Sequence, residues 1–343
     1  MSWERVEADQ IEGVPAPETQ RLVGHERAYA GILAALDAGR PPSAIMLHGP
    51  RGIGKATFAF TLARELLTRT SDETAERVDA QVASMAHPNL FVLRRARDLS
   101  ATDKFYTAIR VEDVRTARDA LQRTRGRAGY RIAIIDSVDD CNANSANALL
   151  KTLEEPPAET LFIVLSHRPG GLLPTIRSRC QSIALRPLPD GEVSTVVSAI
   201  RPDTDSEALA RAIRLAGGRP RRALETLMFE EGDMLDALVT WLDSPHVQPV
   251  RAQLAIAESL AAAKGAELSF AQDIIRDWIA AEAENAARAG ASARFRLASA
   301  NALWDKASAL VADADIYNLD RRQTLVSVFD LIRDHARKFA TAA

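Results

Sequence analysis

Cysteine is nearly absent: Cys141 and Cys180 are the only two in 343 residues. Two thiols exclude a disulfide framework and a four-thiolate zinc site, and they suit a reducing compartment. Aromatic residues make up only 5%. There is no excess of basic charge either. The net charge of −3 argues against a surface that tracks phosphate backbones along its whole length, so any nucleic-acid contact must be local. No apolar run approaches the ~20 residues of a membrane helix. Glu4 and Glu7 stand where a secretion signal has a basic start and an apolar stretch, so no such signal is expected. These absences leave a soluble cytoplasmic protein without membrane contact as the expectation. The residues that are present fit it: 47% hydrophobic and 26% charged are a globular balance, and the length exceeds one ~100–200-residue domain.

From about Ser43 to Leu185, short apolar runs alternate with helical patterns. The runs are Ala44–Leu47, Leu90–Leu93, Ile132–Ile135, Leu161–Leu165 and Ser182–Leu185. Each is nearly all apolar, as strands buried on both faces of a parallel sheet must be, so an α/β domain with a five-stranded parallel sheet is predicted. Residues 68–86 are polar and acidic, readable as helix or mobile insertion. Strand signals stop at Pro187 and Pro189, since proline continues neither a ladder nor a helix interior. Beyond them, residues to about 230 read as a small helical unit broken at Gly217, Gly218 and Pro220. The rest is helical throughout, with apolar positions at Ile274, Trp278, Ile279, Leu325, Val328, Phe329 and Ile332. The Ala-rich stretch 261–302 reads as helix because alanine is the best helix former. The expected division is 1–187, 188–231 and 232–343.

After the first strand comes His48-Gly49-Pro50-Arg51-Gly52-Ile53-Gly54-Lys55-Ala56-Thr57. Glycines there let backbone N–H groups converge on phosphates at a helix N-terminus, and a lysine reaches the outer phosphates. The pattern then asks for a hydroxyl to ligate magnesium, and the chain supplies Ala56. Thr57 is one step further, ~100° around the helix, and cannot simply replace it. The third strand ends in Asp136, followed by Ser137, which cannot take a proton at pH 7 as a catalytic carboxylate would. Asp139 and Asp140, beyond the strand end, read as solvated or capping. Gly49, Gly52, Gly54, Lys55, Thr57 and Asp136 therefore make a degenerate nucleotide site. Whether ATP or ADP occupies it stays open, no cofactor is required, and no metal ligand set is assigned.

Asn147-Ala148-Leu149-Leu150-Lys151-Thr152-Leu153-Glu154-Glu155-Pro156-Pro157 is by itself an amphipathic helix with a proline stop. It closely resembles the signature helix of the bacterial DNA polymerase III clamp-loader AAA+ family. Leu172 to Cys180, ending Ser178-Arg179-Cys180, resembles the family's Ser-Arg-Cys motif, and Ala216 to Leu224 resembles its sensor-2 motif, with Arg221 at the sensing position. Ser166 and His167 fall in the sensor-1 region, where His167 could equally be an exposed loop residue, and His87-Pro88-Asn89 matches a structural element. Asn318 to Gln323 is also similar to family sequences.

The resemblance implies a P-loop AAA+ domain, a small helical lid and an all-helical collar. It implies that Arg179 is an arginine finger, stabilising phosphoryl charge in a neighbour's site. Partners would be gamma/tau and delta subunits, with the sliding clamp and primer-template DNA reached through the assembled complex at the nucleoid-associated replisome. Hydrolysing members carry Asp-Glu where Asp136-Ser137 stand. Many relatives carry a cysteine-rich zinc module before His-Pro; residues 68–86 hold no cysteine, so no zinc is inferred. Arg177 and Arg179 could instead pair with surface carboxylates, and the Arg221 cluster could be a solvated basic helix start. Cys180 reads as packing rather than a nucleophile. The alternatives are a gamma/tau-like motor hydrolysing in its own site and, ranked last, a small-molecule kinase.

Overall fold

The computed structural model describes residues 7–340 apart from 9, 40, 99, 101–103, 123–127, 229–232 and 264. It forms two compact units, Met1–Leu227 and Met228–Ala343. In the first, α1 (Glu26–Asp37), β1 (Ala44–His48), α2 (Lys55–Thr70), α3 (Ala75–Ala83), β2 (Leu90–Leu93), α4 (Val111–Gln122), β3 (Arg131–Ile135), α5 (Ala143–Glu154), β4 (Thr160–Ser166), α6 (Pro174–Arg177) and β5 (Gln181–Ala184) follow in order. The five strands are all parallel, in the order β2-β3-β4-β1-β5.

Strand alternation splits the core into two layers. Ile45, Leu47, Ile132, Ile134, Leu161, Ile163 and Leu165 face one way, onto Phe58, Leu62 and Leu66 of α2. Ala44, Met46, Ala133, Ile135, Phe162 and Val164 face the other, onto Val114 and Leu121 of α4 and Leu149 and Leu153 of α5. Helices on both faces explain why the strands read as unbroken apolar runs. β1 lies between β4 and β5, so the crevice at the carboxyl ends of these strands is where such a sheet binds ligands.

The stretch 68–86 is mostly helical: α2 continues to Thr70, and α3 starts where the Thr74 side chain accepts the Arg77 N–H and runs to Ala83. Beneath it, buried Glu73 pairs with His87 at 3.2 Å and with Arg77 at 3.0 Å. The His87 Nδ1 accepts the Asn89 N–H at 3.1 Å, so His-Pro-Asn closes the turn into β2.

After β5, α7 (Asp190–Ile200), α8 (Ser206–Ala216) and α9 (Pro220–Thr226) gather around Leu188, Val193, Val197, Ala212, Ala216 and Leu224, with Ile11 of the N-terminal segment among them. They belong to the same compact unit as the sheet. The boundary expected at 231–232 lies outside the described residues. The second unit holds α10 (Asp233–Asp243), α11 (Val250–Ala262), α12 (Gly265–Arg288), α13 (Arg294–Tyr317) and α14 (Arg321–Ala340). Its core includes Ile274, Ile279, Leu325, Val328, Phe329 and Ile332, and Trp241 meets Phe329 at 4.9 Å between ring centroids. Among the described residues no helix is long and apolar enough to cross a membrane.

Candidate nucleotide site and arginine segment

The loop between β1 and α2 is folded tightly enough to require its glycines. A side chain on Gly49 would put Cβ 2.3 Å from the Leu185 carbonyl, and one on Gly52, at φ 86°, would meet Arg221 Cβ at 2.8 Å. Gly54 ends the loop as the N-cap of α2. Lys55 is buried, and its ammonium donates to the carbonyls of Gly49 and Pro50, both at 2.7 Å. Burial pulls its pKa down to about 7, against the field of Asp136. A lysine so placed gains strongly from any anion that enters, because the carbonyls it touches carry no full charge to compensate its desolvation.

Around it lies a cavity of about 180 Å³, lined among others by Arg51, Gly52, Gly54, Lys55, Ala56, Thr57, Asp136, Ser137, His167 and Arg221. The structure thus brings the loop, the end of β3, the end of β4 and the start of α9 to one crevice. Arg221 arrives because its backbone N–H donates to Gly52 O at 3.2 Å, while its guanidinium pairs with Glu225 at 2.8 Å. Both Ala56 and Thr57 reach the cavity. His167 is half-buried there rather than an exposed loop residue.

Asp139 and Asp140 are engaged by the protein rather than by a helix start, with the Asp140 side chain still 31% exposed. The Asp139 carboxylate accepts the backbone N–H groups of His167 at 2.6 Å and Arg168 at 3.0 Å, and the hydroxyls of Ser166 and Ser137, both at 3.3 Å. Asp140 pairs with Arg95 at 3.2 Å. The tight 3₁₀ turn Val138–Asp140 aims a carboxylate at the neighbouring strand's end, which one-dimensional spacing cannot reveal.

Arg179 stands outside the cavity. Its guanidinium pairs with Glu154 of α5 at 2.7 Å and donates to Thr175 O at 3.0 Å, about a third exposed. Arg177 reaches Pro169 O at 3.5 Å. Cys180 packs in the core layer under α5, and burial pushes its thiol up to about 11; Cys141 is pushed up to about 11 by burial as well. Neither is an activated nucleophile.

Sequence reasoning missed the N-terminal segment. Glu7, Gln10, Ile11 and Val14 line the same cavity. Glu7 pairs with Arg94 at 3.3 Å, yet burial, reinforced by Asp136, pushes its carboxyl up to about 7. No motif marks these residues; only the fold carries them to the site. His25 reaches the loop too, its Nε2 lying 2.8 Å from Ile53 O.

A phosphate loop after a strand set between β4 and β5, an acid ending β3 and a helical segment returning an arginine to the loop define a P-loop module of the AAA+ class. Residues 24–189 match the family model described as DNA polymerase III, delta subunit. The DNA polymerase III subunit delta' of Pseudomonas aeruginosa is 35% identical over 185 residues, 52% of this chain and 54% of its own length. Its counterpart in Escherichia coli is 30% identical over 57% of this chain and 58% of its own. The DNA polymerase III subunit gamma/tau of Mycobacterium tuberculosis is 33% identical over 67% of this chain and 39% of its own. The chain spans about half the length of the delta' relatives it matches.

Proposed function

We propose that this chain is a delta-prime-type subunit of a bacterial clamp loader, one that does not hydrolyse ATP itself and supplies Arg179 to a neighbouring ATPase subunit. The observation that carries this reading is the contrast at the phosphate loop. Lys55, Asp136 and Arg221 line one cavity, while Ala56 offers no magnesium ligand and Ser137 no general base. Such a site can hold phosphates but lacks the means to activate water. Arg179 lies on a segment leading into β5 and is not among the residues lining its own cavity, which supports a role at another molecule's site.

In this reading Gly49, Gly52, Gly54, Lys55, Thr57, Asp136 and Arg221 form the degenerate nucleotide site, which would take ATP or ADP but does not need it. No metal is required. The division is a AAA+ domain over 1–187, a lid over 188–231 and a collar over 232–343. Partners are gamma/tau and delta subunits, and through the assembled complex the sliding clamp and primer-template DNA. The location is cytoplasmic, at the replisome. DNA contact is shared among subunits, each adding a few phosphate contacts, so the isolated chain binds DNA weakly.

The gamma/tau relative aligned over 67% of this chain keeps a second reading in play, a motor that hydrolyses in its own site. The experiment that decides is a loader rebuilt from purified subunits, with clamp- and DNA-stimulated ATP turnover measured for Arg179→Ala and Lys55→Ala in this chain. The finger reading expects Arg179→Ala to lower turnover at the site it serves by on the order of 10³-fold, with Lys55→Ala close to wild type. A large Lys55→Ala loss, with hydrolysis by the isolated chain, would establish the motor instead.

A further inference from the structure

The parallel ladder stops at the end of β4. Ser166 is the last residue in register with β1, opposite His48, so the next N–H groups, of His167 and Arg168, lie beyond the strand pairing. Asp139 meets them there. A single carboxylate accepts both N–H groups and the Ser166 hydroxyl from 27 to 29 residues away in sequence. Charge-assisted bonds of 2.6 and 3.0 Å to adjacent amides hold a chain direction more firmly than a neutral acceptor would.

The chain beyond Arg168 is short and stiff. Gly171 N–H returns to Arg168 O at 3.0 Å, α6 starts within three residues of that turn, Ser178 N–H returns to Pro174 O at 2.9 Å, and the Arg179 guanidinium grips Thr175 O at 3.0 Å. Ile176 is buried in the core layer beneath. Only this run of turns separates the amides held by Asp139 from Arg179, with little slack to absorb a shift at the start. On its other side Asp139 follows Asp136 and Ser137, which line the phosphate cavity, and its field acts on Lys55.

We propose that Asp139 is a positioning residue: it fixes the β4 exit so that the segment 168–179 presents Arg179 in the orientation the neighbouring site needs. This rests on the finger reading above. Asp139 is not among the residues lining the cavity; it acts through the backbone of His167 and Arg168.

The test uses the rebuilt loader carrying Asp139→Asn, Asp139→Ala, Arg179→Ala and the double variant Asp139→Ala/Arg179→Ala, with thermal melting and assembly checked for each. Misplacing a charge by about 1 Å costs roughly ten- to a hundredfold in rate, so kcat for stimulated ATP turnover should fall about tenfold or more in Asp139→Ala, and less in Asp139→Asn, which keeps one acceptor. KM and assembly should stay within about twofold, because the missing group acts on the transition state. The double variant should be no slower than Arg179→Ala alone, since two residues acting as one unit are not additive. An assembled Asp139→Ala loader with unchanged kcat overturns the proposal, as do losses that multiply in the double variant. If Asp139→Ala does not fold, Asp139→Asn decides by the same kcat and by its own double with Arg179→Ala. If Arg179→Ala alone leaves turnover unchanged, the finger reading itself fails, a result separate from failure of Asp139.

Discussion

Two polar clusters, one in each unit, solve the burial of charge in opposite ways. In the first unit Lys55 and Glu7 line one cavity, and burial drives both toward neutrality, with Lys55 brought down and Glu7 brought up to about 7. In the second unit Glu282 accepts from Arg296 at 2.7 Å, lies 3.3 Å from His335 Nε2, and is held below the usual carboxylate range first by its bond to His335. Ser299 completes that cluster, its hydroxyl 2.9 Å from His335 Nδ1. The second cluster is closed on itself and joins α12, α13 and α14. In the first, burial outweighs the compensating charges of Asp136 on Lys55 and of Arg94 on Glu7.

The largest effect that would sharpen this comparison belongs to Lys55. A lysine with a lowered folded pKa binds its proton less readily than the unfolded chain does, so its penalty is full below about 7 and is relieved as pH rises toward 10.5. Lys55→Met should raise stability at pH 7 by about 3 kcal/mol after allowing for its two lost hydrogen bonds. It should also abolish the rise in stability from pH 7 to 10 in thermal or urea melts. Loss of stability in Lys55→Met would show that the loop's own carbonyls compensate the charge and that the contrast is false.

Glu7 comes next, with the opposite sign. Its folded pKa is raised, so the fold holds a proton that the unfolded chain releases, and stability falls as pH rises from 4.5 to about 7. Glu7→Gln should be about 2 kcal/mol more stable than wild type at pH 8, with the gain gone below pH 4. Together the two groups place a stability minimum near pH 7, which the double variant removes. Polyphosphate added at pH 7 should fill that minimum through Lys55, and a melt unmoved by it would count against an anion site.

The smallest effect is expected from Glu282. Its folded pKa is lowered, so its stabilisation is present above the unfolded value near 4.5 and is lost as pH falls through the folded one. Because Arg296 is partly exposed, Glu282→Gln should cost only about 1 kcal/mol above pH 6, shrinking toward zero in acid. A cost independent of pH would mean that shape rather than charge holds the three helices.

Much of the first unit was legible in one dimension. The strands were visible because burial on both faces removes polar residues from them altogether, and the loop because its glycines and lysine are adjacent in sequence. The stretch 68–86 was not, since the Thr74 cap and the buried Glu73–His87 pair need partners that spacing alone does not supply. Glu7 and Asp139 were missed or misread for the same reason: each acts on residues far along the chain.

Local periodicity and contiguous motifs therefore determined the sheet, the helical remainder and the glycine-rich loop that runs from Gly49 to Lys55 and Ala56, because those properties depend on neighbours within one turn or one strand. Tertiary structure alone decided that the N-terminal segment walls the cavity, that Arg221 meets Gly52, and that Asp139 holds the exit of β4. Burial and through-space charge, not sequence order, set the roles of these groups.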